Sequence, residues 1–180
     1  MLKPRHYPRI LRVLLTVAAV SYGMMLLFPP RLQAQQIEPH RANYSEVEPT
    51  LFMGGRVSEP PPGTVAVLNL CESEDAYKVD EQLWKKIPDA APAPSLQWLR
   101  EAVGFVDKAQ KADRKTYVHC SAGISRAGMV VTAYEMFKHN WSRDQALEFV
   151  RSKRTQVRPN HAFMDLLLEW EKELGIKTQK

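Results

Sequence analysis

Residues 119–128 constrain the fold more than any other stretch of this chain of 180 residues. They read His-Cys-Ser-Ala-Gly-Ile-Ser-Arg-Ala-Gly, with the β-like pair Tyr117-Val118 before them and an apolar, helix-compatible segment over residues 129–137 after them. A strand, a loop of small residues and a helix start together form an anion cradle, because successive loop N–H groups turn inward and the helix dipole adds partial positive charge. We therefore expect this loop to bind an anion such as phosphate.

Two side chains of the loop carry chemistry. The field that holds an anion also stabilises a thiolate, so we expect Cys120 to ionise readily. Arg126 ends the loop with a planar, two-pronged donor that matches the oxygens of a phosphate. A nucleophile and a phosphate clamp in one short loop indicate phosphoryl transfer through cysteine.

The net charge of +5 comes from the N-terminal segment. Five cations precede the first acidic residue, Glu38: Lys3, Arg5, Arg9, Arg12 and Arg31. Without these five, the 25 Lys and Arg residues become 20 and equal the 20 Asp and Glu residues. A domain that is neutral overall argues against nucleic acid as a partner. A local basic cluster remains, which we interpret as a solvated helix face: Arg151, Lys153, Arg154 and Arg158.

Residues 1–34 are predicted to be a signal peptide or an N-terminal membrane anchor. Basic residues precede an uncharged, mostly apolar run over residues 13–28. Counted from Ile10, the run over residues 10–28 is barely long enough for a bilayer, since a span takes ~20 residues. Pro29-Pro30 ends the run, and Leu32-Gln33-Ala34 resembles a cleavage site, so cleavage and membrane association through the run both stay open. In either case we expect the rest of the chain to be exported or membrane-anchored, outside the cytoplasm.

The rest of the chain is divided into a polar linker over residues 35–46, one domain over 47–175 and a tail over 176–180. The domain begins with strands and continues with interleaved helices, which predicts an α/β fold with a central, mostly parallel sheet flanked by helices. Strands are predicted at residues 50–55, 64–70, 83–87 and directly before the cysteine loop. Helices are predicted at residues 95–111, after the loop, from the capping box at 142–145, and from about 160 to about 175.

The pattern His-Cys-x-x-Gly-x-x-Arg resembles the signature of the cysteine-dependent protein tyrosine phosphatases. The short domain, the Pro-rich loop and the helices after the cysteine resemble the dual-specificity branch of that superfamily, over roughly residues 47–174. The resemblance implies that Cys120 attacks phosphorus in line and forms a phosphocysteine intermediate, which water then hydrolyses. It also implies that Arg126 binds the phosphoryl oxygens and stabilises the transition state.

Further roles follow from the same resemblance. Asp89, in the Pro-rich loop at residues 88–94, is the expected general acid for the leaving group. Asp113 is the second candidate, but it lies too near the cysteine strand to swing over the pocket. His119 is expected to brace the loop by hydrogen bonds. The phosphate is expected to bind the backbone amides of Ser121, Ala122, Gly123, Ile124 and Ser125.

Two positions raise separate questions. The superfamily usually has Ser or Thr after the arginine, where this chain has Ala127, so we predict slow breakdown of the phosphoenzyme unless Ser125 or an ordered water substitutes. Cys71 ends a predicted central strand, and the carboxyl ends of strands line the site in such sheets. Some phosphoinositide phosphatases carry a similar Asn-Leu-Cys and form a protective disulfide with the catalytic cysteine. Cys71 is thus either a redox partner of Cys120 or a small core residue.

Three functions stay open from the sequence. The first is a phosphatase for phosphotyrosine, and also for phosphoserine or phosphothreonine, in proteins. The second is a lipid or sugar monophosphate phosphatase of the same fold, and the third is a phosphate-binding module with weak turnover. The loop interior, Ser-Ala-Gly-Ile-Ser, has no cation, which argues against polyphosphoinositides. No cofactor and no metal are implied, because the five histidines are scattered and no Cys/His cluster has ligand spacing.

Overall fold

The computed structural model of the protein describes residues 43–176. The predicted signal peptide or anchor, including the apolar run at residues 10–28, lies outside the described residues. So do most of the predicted linker and residues 177–180 of the predicted tail. Within the described residues, no helix has the length and apolar character that crossing a membrane requires.

Five strands in this part of the chain form one sheet in the order β1-β2-β5-β3-β4. They are β1 (Tyr44–Glu48), β2 (Leu51–Gly54), β3 (Ala66–Asn69), β4 (Glu81–Trp84) and β5 (Thr116–His119). β1 pairs antiparallel with β2, whereas every other neighbouring pair is parallel. The predicted mostly parallel sheet is confirmed, and β5 in its centre carries the cysteine loop at its carboxyl end.

The described residues also form four helices: α1 (Leu96–Lys111), α2 (Arg126–His139), α3 (Arg143–Lys153) and α4 (His161–Glu173). Polar caps begin three of them, because the first N–H groups of a helix have no partner within the helix. Ser95 accepts the Trp98 N–H at the start of α1. Ser142 and Gln145 form the predicted capping box of α3, and Asn160 caps α4.

The core lies between the sheet and the helices, as the α/β prediction expected. All residues of β3 and β5 are buried, which is typical of parallel strands with both faces covered. α2 is the central helix, since 11 of its 14 residues are buried. The first turn of α2 follows the cysteine loop directly, so the packing of α2 holds the loop in place.

Two edge strands differ from the prediction. β1 begins at Tyr44 and so crosses the predicted boundary between residues 46 and 47. β4 spans Glu81–Trp84 instead of residues 83–87, and Ile87 is a buried residue beyond its end. Both are edge strands with partly exposed, polar residues. β1 is a strand because its main chain pairs with β2, and β4 because its main chain pairs with β3. Apolar runs in the sequence do not predict such pairing.

Candidate active site

The loop at residues 120–125 joins the central strand β5 to α2. Cys120 is buried at its head, with 2% of its surface exposed. The Gly123 N–H donates to the Cys120 Sγ at 3.3 Å. This contact holds the Cys120 sulfur beneath the backbone amides of the loop.

The loop carbonyls point away from the loop interior. Four of them accept hydrogen bonds of 2.8–3.0 Å from groups outside the loop. These acceptors are the carbonyls of Ser121, Ala122, Gly123 and Ile124. The donors are the backbone N–H groups of Arg56 and Arg158 and the guanidinium of Arg154. Because the C=O and N–H of one peptide unit point in opposite directions, the amides face inward, as an anion cradle requires. Binding of phosphate by these amides stays a prediction.

Gly123 is required by the shape of this loop. Its φ is +70°, a region that side chains disfavour. A Cβ at this position would lie 2.3 Å from the carbonyl carbon of Gly54, at the end of β2. The loop therefore packs directly against the β2 backbone, and any side chain at residue 123 would push the two apart.

Arg126 is 7% exposed at the first turn of α2. Its Nη1 donates to the carbonyls of Leu70 and Ile87 at 3.3 and 3.2 Å, and its Nη2 donates to the Ser121 hydroxyl at 2.9 Å. Its Nε is buried and has no hydrogen-bond partner among residues 43–176. The guanidinium is thus held in one orientation with a donor left for a ligand.

Asp89 belongs to a separate loop but contacts the cysteine loop at Ser125, from which 36 residues separate it in the sequence. Its Oδ1 accepts from the Ser125 hydroxyl at 2.6 Å and from the Asn160 side-chain amide at 2.9 Å. Its Oδ2 is 3.9 Å from the Arg126 Nε. Asp113, in contrast, lies in the turn between α1 and β5, at the opposite end of β5 from the cysteine. The structure therefore brings Asp89, and not Asp113, to the loop.

His119 is fully buried at the end of β5. Its Nε2 lies 3.1 Å from Asp75 Oδ2, and its Nδ1 lies 3.8 Å from the Cys71 Sγ. Burial by itself would lower the pKa of His119, but the hydrogen bonds with Asp75 and Cys71 outweigh it and raise this pKa to about 9. His119 thus sits as a cation between an acid and a thiol.

Cys71 follows β3 and is a free, buried cysteine, as Cys120 is. Burial raises the pKa of the Cys71 thiol, but the hydrogen bond and charge of His119, with the charges of Arg56 and Arg126, lower it overall. The second thiol therefore lies in an electropositive surrounding near the loop. The disulfide between Cys71 and Cys120 stays a prediction.

The sequence analysis missed three residues that position this site. Arg154 is 7% exposed and braces the loop, so the interpretation of the basic cluster as a solvated helix face is wrong for this residue. Asn160 was detected only as a helix start, yet its side chain also donates to Asp89. Asp75, in a short acidic stretch, is the partner of His119. Their sequence signals are those of ordinary surface residues, and only the fold brings them together.

An open cleft of about 710 Å³ lies beside Asp89. Its polar lining includes Ser125, Asn160, Arg143, Arg158 and His161, and Pro159 and Met164 add apolar surface. The cleft begins at Asp89 and Ser125, so it can receive the part of a ligand that extends beyond an anion in the loop.

Known proteins match this chain in sequence. A family model described as dual specificity phosphatase, catalytic domain, matches residues 63–173. Dual specificity protein phosphatase 1 of Homo sapiens is 33% identical over 114 residues, which are 62% of this chain and 31% of that protein. Dual specificity protein phosphatase 7 of Homo sapiens is 42% identical over 100 residues, 54% of this chain and 24% of that protein. The chain thus spans about a third or less of the length of these relatives, and the matches confirm the resemblance to the dual-specificity branch.

Solved structures share the fold. A mouse putative dual specificity phosphatase, in a complex with zinc tungstate, is 24% identical with a TM-score of 0.69 and covers 77% of this chain and 94% of its own. PTPMT1 in complex with PI(5)P is 25% identical with a TM-score of 0.64 and covers 74% of this chain and 97% of its own. These structures confirm the α/β architecture.

The prediction of an exported or membrane-anchored domain outside the cytoplasm is wrong. The matched relatives are dual specificity protein phosphatases such as those named above. The prediction depended on the apolar run at residues 10–28, which lies outside the described residues, and on nothing in the domain itself.

Proposed function

We propose the function of this chain from the premise that it belongs to the dual specificity phosphatase family, whose catalytic-domain model covers residues 63–173. The chain hydrolyses phosphomonoesters, with phosphotyrosine in proteins as the main substrate and phosphoserine and phosphothreonine as further ones. One observation carries the proposal. A buried cysteine, an arginine with an unpartnered Nε and an aspartate on a separate loop meet at one cradle of backbone amides.

The first step forms the phosphoenzyme. The Cys120 thiolate attacks phosphorus, the bond from phosphorus to the ester oxygen breaks, and the Asp89 carboxyl gives its proton to the departing oxygen. The inward amides and the Arg126 guanidinium hold the phosphoryl oxygens as charge spreads over them. The contact between Asp89 and Ser125 supports this role, because it keeps the acid at the mouth of the cradle.

The second step releases phosphate. The Asp89 carboxylate, now without its proton, takes a proton from a water that attacks the phosphocysteine. The bond from phosphorus to sulfur breaks, and the Cys120 thiolate leaves with the bonding electrons. The chain then returns to its starting protonation state with inorganic phosphate in the cradle.

The cleft beside Asp89 supports a phosphorylated protein segment as substrate. Arg143, Arg158 and His161 provide hydrogen-bond donors for a peptide backbone or acidic neighbours, and Met164 provides apolar contact. The side chains inside the cysteine loop carry no cation, so the cradle suits a single phosphate. These features favour a phosphorylated side chain over a ligand with several phosphates.

A lipid monophosphate is the second candidate substrate. PTPMT1, which is 25% identical, has been solved in complex with PI(5)P, so this fold accommodates a phosphoinositide. The same cradle would hold the phosphate of such a headgroup, and the cleft would hold the sugar ring. The two candidates differ in what must enter the cleft, which allows a direct test.

The test compares phosphate release from a phosphotyrosine peptide, from phosphoserine and phosphothreonine peptides, and from vesicles containing a phosphatidylinositol monophosphate. We expect kcat/KM for the phosphotyrosine peptide to exceed that for the lipid at least about tenfold, which is about 1.4 kcal/mol of transition-state binding. The Cys120→Ser protein is the blank for each substrate. A preference for the vesicles would support the second candidate, and no release from any substrate would contradict both.

Ala127→Ser is expected to speed phosphoenzyme breakdown roughly tenfold, because one added hydrogen bond to the charged leaving sulfur is worth ~1.5 kcal/mol. Ala127 is fully buried in the first turn of α2, directly after Arg126. The Ser125 hydroxyl donates its hydrogen bond to Asp89, so it does not donate to the Cys120 sulfur in this arrangement. Rapid-quench trapping of phosphocysteine measures both steps.

Ala133→Ser is the matched control for this prediction, since it makes the same change at another fully buried position of α2. We expect it to leave the breakdown rate unchanged. Phosphocysteine that breaks down faster than it forms in the natural chain would contradict the prediction. An unchanged breakdown rate in Ala127→Ser would do so as well.

A further inference from the structure

Three ligating side chains meet at the end of α2 that lies away from the cysteine loop. Glu48 is the last residue of β1, and Glu135 and His139 lie one turn apart on α2. The His139 Nε2 lies 3.2 Å from Glu48 Oε1 and 3.3 Å from Glu135 Oε2. The three ligand atoms all lie within 4.8 Å of one another. The function proposed above uses none of these residues.

Glu135 is the unusual member of this group. Its side chain is fully buried, and neither carboxylate oxygen has a hydrogen-bond partner among residues 43–176. The His139 nitrogen is within ion-pair distance but makes its hydrogen bond to Glu48 instead. An isolated buried carboxylate is costly, so such groups are normally paired or coordinate a metal. The buried carboxylate thus points to a cation that binds between the three residues.

The neighbouring charges do not neutralise the group. The Lys138 ammonium pairs with Glu48 through Oε2, the other oxygen of that carboxylate, and so leaves Oε1 facing His139. The group contains two carboxyl side chains, and Lys138 pairs with only one of them, that of Glu48.

We propose that Glu48, Glu135 and His139 bind a zinc ion that links the end of β1 to the end of α2. Zinc binds imidazole nitrogen and carboxylate oxygen at 2.0–2.2 Å, and tetrahedral geometry then separates neighbouring ligand atoms by ~3.3 Å. The two measured separations, 3.2 and 3.3 Å, agree with this value. Three protein ligands leave the fourth position for water. Magnesium is a poorer match, because it favours all-oxygen octahedral sites.

The ion has a structural rather than a catalytic place. Glu135 is nine residues along α2 from Arg126, a rise of ~13 Å at 1.5 Å per residue. His139 retains 31% exposure of its side chain, which provides a path for the ion from solvent. A bound zinc would give the buried carboxylate oxygens of Glu135 a partner and would link β1 to α2, and it would therefore stabilise the folded chain.

The first experiment measures thermal unfolding of the full, tag-free chain after chelator treatment, with and without zinc. At zinc concentrations about 100-fold above the dissociation constant, we expect the Tm to rise by about 5–10 °C. Competition with a chromophoric chelator should give one equivalent of bound zinc. Magnesium at the same concentration should leave the Tm unchanged, and an equal rise with magnesium would overturn the assignment to zinc.

Variants assign the site. Glu135→Gln keeps the shape and should fold without zinc at least as well as the natural chain, since it removes a buried charge. Glu135→Gln and His139→Gln should each weaken zinc binding at least about tenfold and abolish the Tm rise, because each removes one of three ligands. Glu169→Gln, a change at an exposed carboxylate of α4, is the matched control and should bind zinc normally.

Thiols are the competing ligands for zinc in this chain. The Cys71→Ser/Cys120→Ser double variant should retain the full Tm rise, because the proposed ligands are nitrogen and oxygen atoms. Loss of zinc binding in the double variant, or a full Tm rise in both Glu135→Gln and His139→Gln, would overturn the proposal. Aryl phosphate hydrolysis by Glu135→Gln should match that of the natural chain, so a failure of the zinc proposal leaves the proposed phosphatase function untouched.

Discussion

Replacing Cys120 by serine is expected to lower kcat for aryl phosphate hydrolysis by at least about 10⁴-fold, since a nucleophile that acts as part of a unit carries most of its effect. A serine hydroxyl stays protonated at neutral pH and is a much weaker nucleophile than a thiolate. In the natural chain the Gly123 N–H donates to the Cys120 sulfur at 3.3 Å. The loop carbonyls keep their outer partners in the variant, so the cradle should persist. Colour release from 4-nitrophenyl phosphate measures the loss, and binding of inorganic phosphate checks that the cradle is intact.

Cys71→Ser is the matched control, because Cys71 is the other free and buried cysteine of the chain. We expect this variant to keep activity within about tenfold of the natural chain, since its sulfur contacts His119 rather than the proposed position of the phosphate. Retention of more than about one percent of kcat in Cys120→Ser would contradict the assignment of the nucleophile. A larger loss in Cys71→Ser than in Cys120→Ser would contradict it too.

Asp89→Asn is expected to have the second largest effect, with a size that depends on the leaving group. For phosphotyrosine and alkyl phosphate substrates we expect kcat/KM to fall by about 10²–10⁴-fold, which is the range for general acid catalysis. For 4-nitrophenyl phosphate the loss should be much smaller, because that leaving group departs without a proton. An amide at residue 89 can still accept from Ser125 and Asn160, so the loop should keep its position.

The control for this variant is Asp113→Asn, at the aspartate that the sequence offers as the second candidate acid. The structure places Asp113 in the turn before β5, so its loss should leave kcat/KM unchanged for every leaving group. A plot of log kcat/KM against leaving-group pKa is the measurement, because kcat/KM reports the step in which the leaving group departs, and its slope should become steeper only in Asp89→Asn. Equal slopes for Asp89→Asn and the natural chain would remove Asp89 from the role of acid.

The strand, the loop and the helix around Cys120 were predictable because their signals are local. Gly123 and Arg126 lie within a few residues of Cys120, and the geometry of the loop itself depends on the spacing of these residues. Asp89 was predictable from the resemblance, and parallel strands explain why it arrives at the loop. β4, β3 and β5 are neighbours that all run parallel, so the loop after β4, which carries Asp89, and the loop after β5 leave the same edge of the sheet.

The contacts that orient the loop were not predictable from the sequence. Arg154 reads as one of several basic residues, and Asn160 reads as a helix cap. Both become parts of the site because α3 and α4 end or begin beside the loop. Long-range side-chain contacts depend on how helices pack, and packing leaves no short-range pattern in the sequence. For the same reason the sequence analysis assigns residues 44–46 of β1, a half-polar edge strand, to the linker.

The sequence by itself determined the class of fold and the phosphate loop with its cysteine and arginine, because consecutive residues set the backbone geometry there. Only the tertiary structure decided which carbonyls are held outward, which aspartate reaches the loop, and which residues stand beside His119. It also placed His139, 91 residues from Glu48 in the chain, within 3.2 Å of that carboxylate. These two residues lie close together because β1 pairs with β2 and α2 packs in the core against the sheet. No spacing in the sequence predicts such a contact.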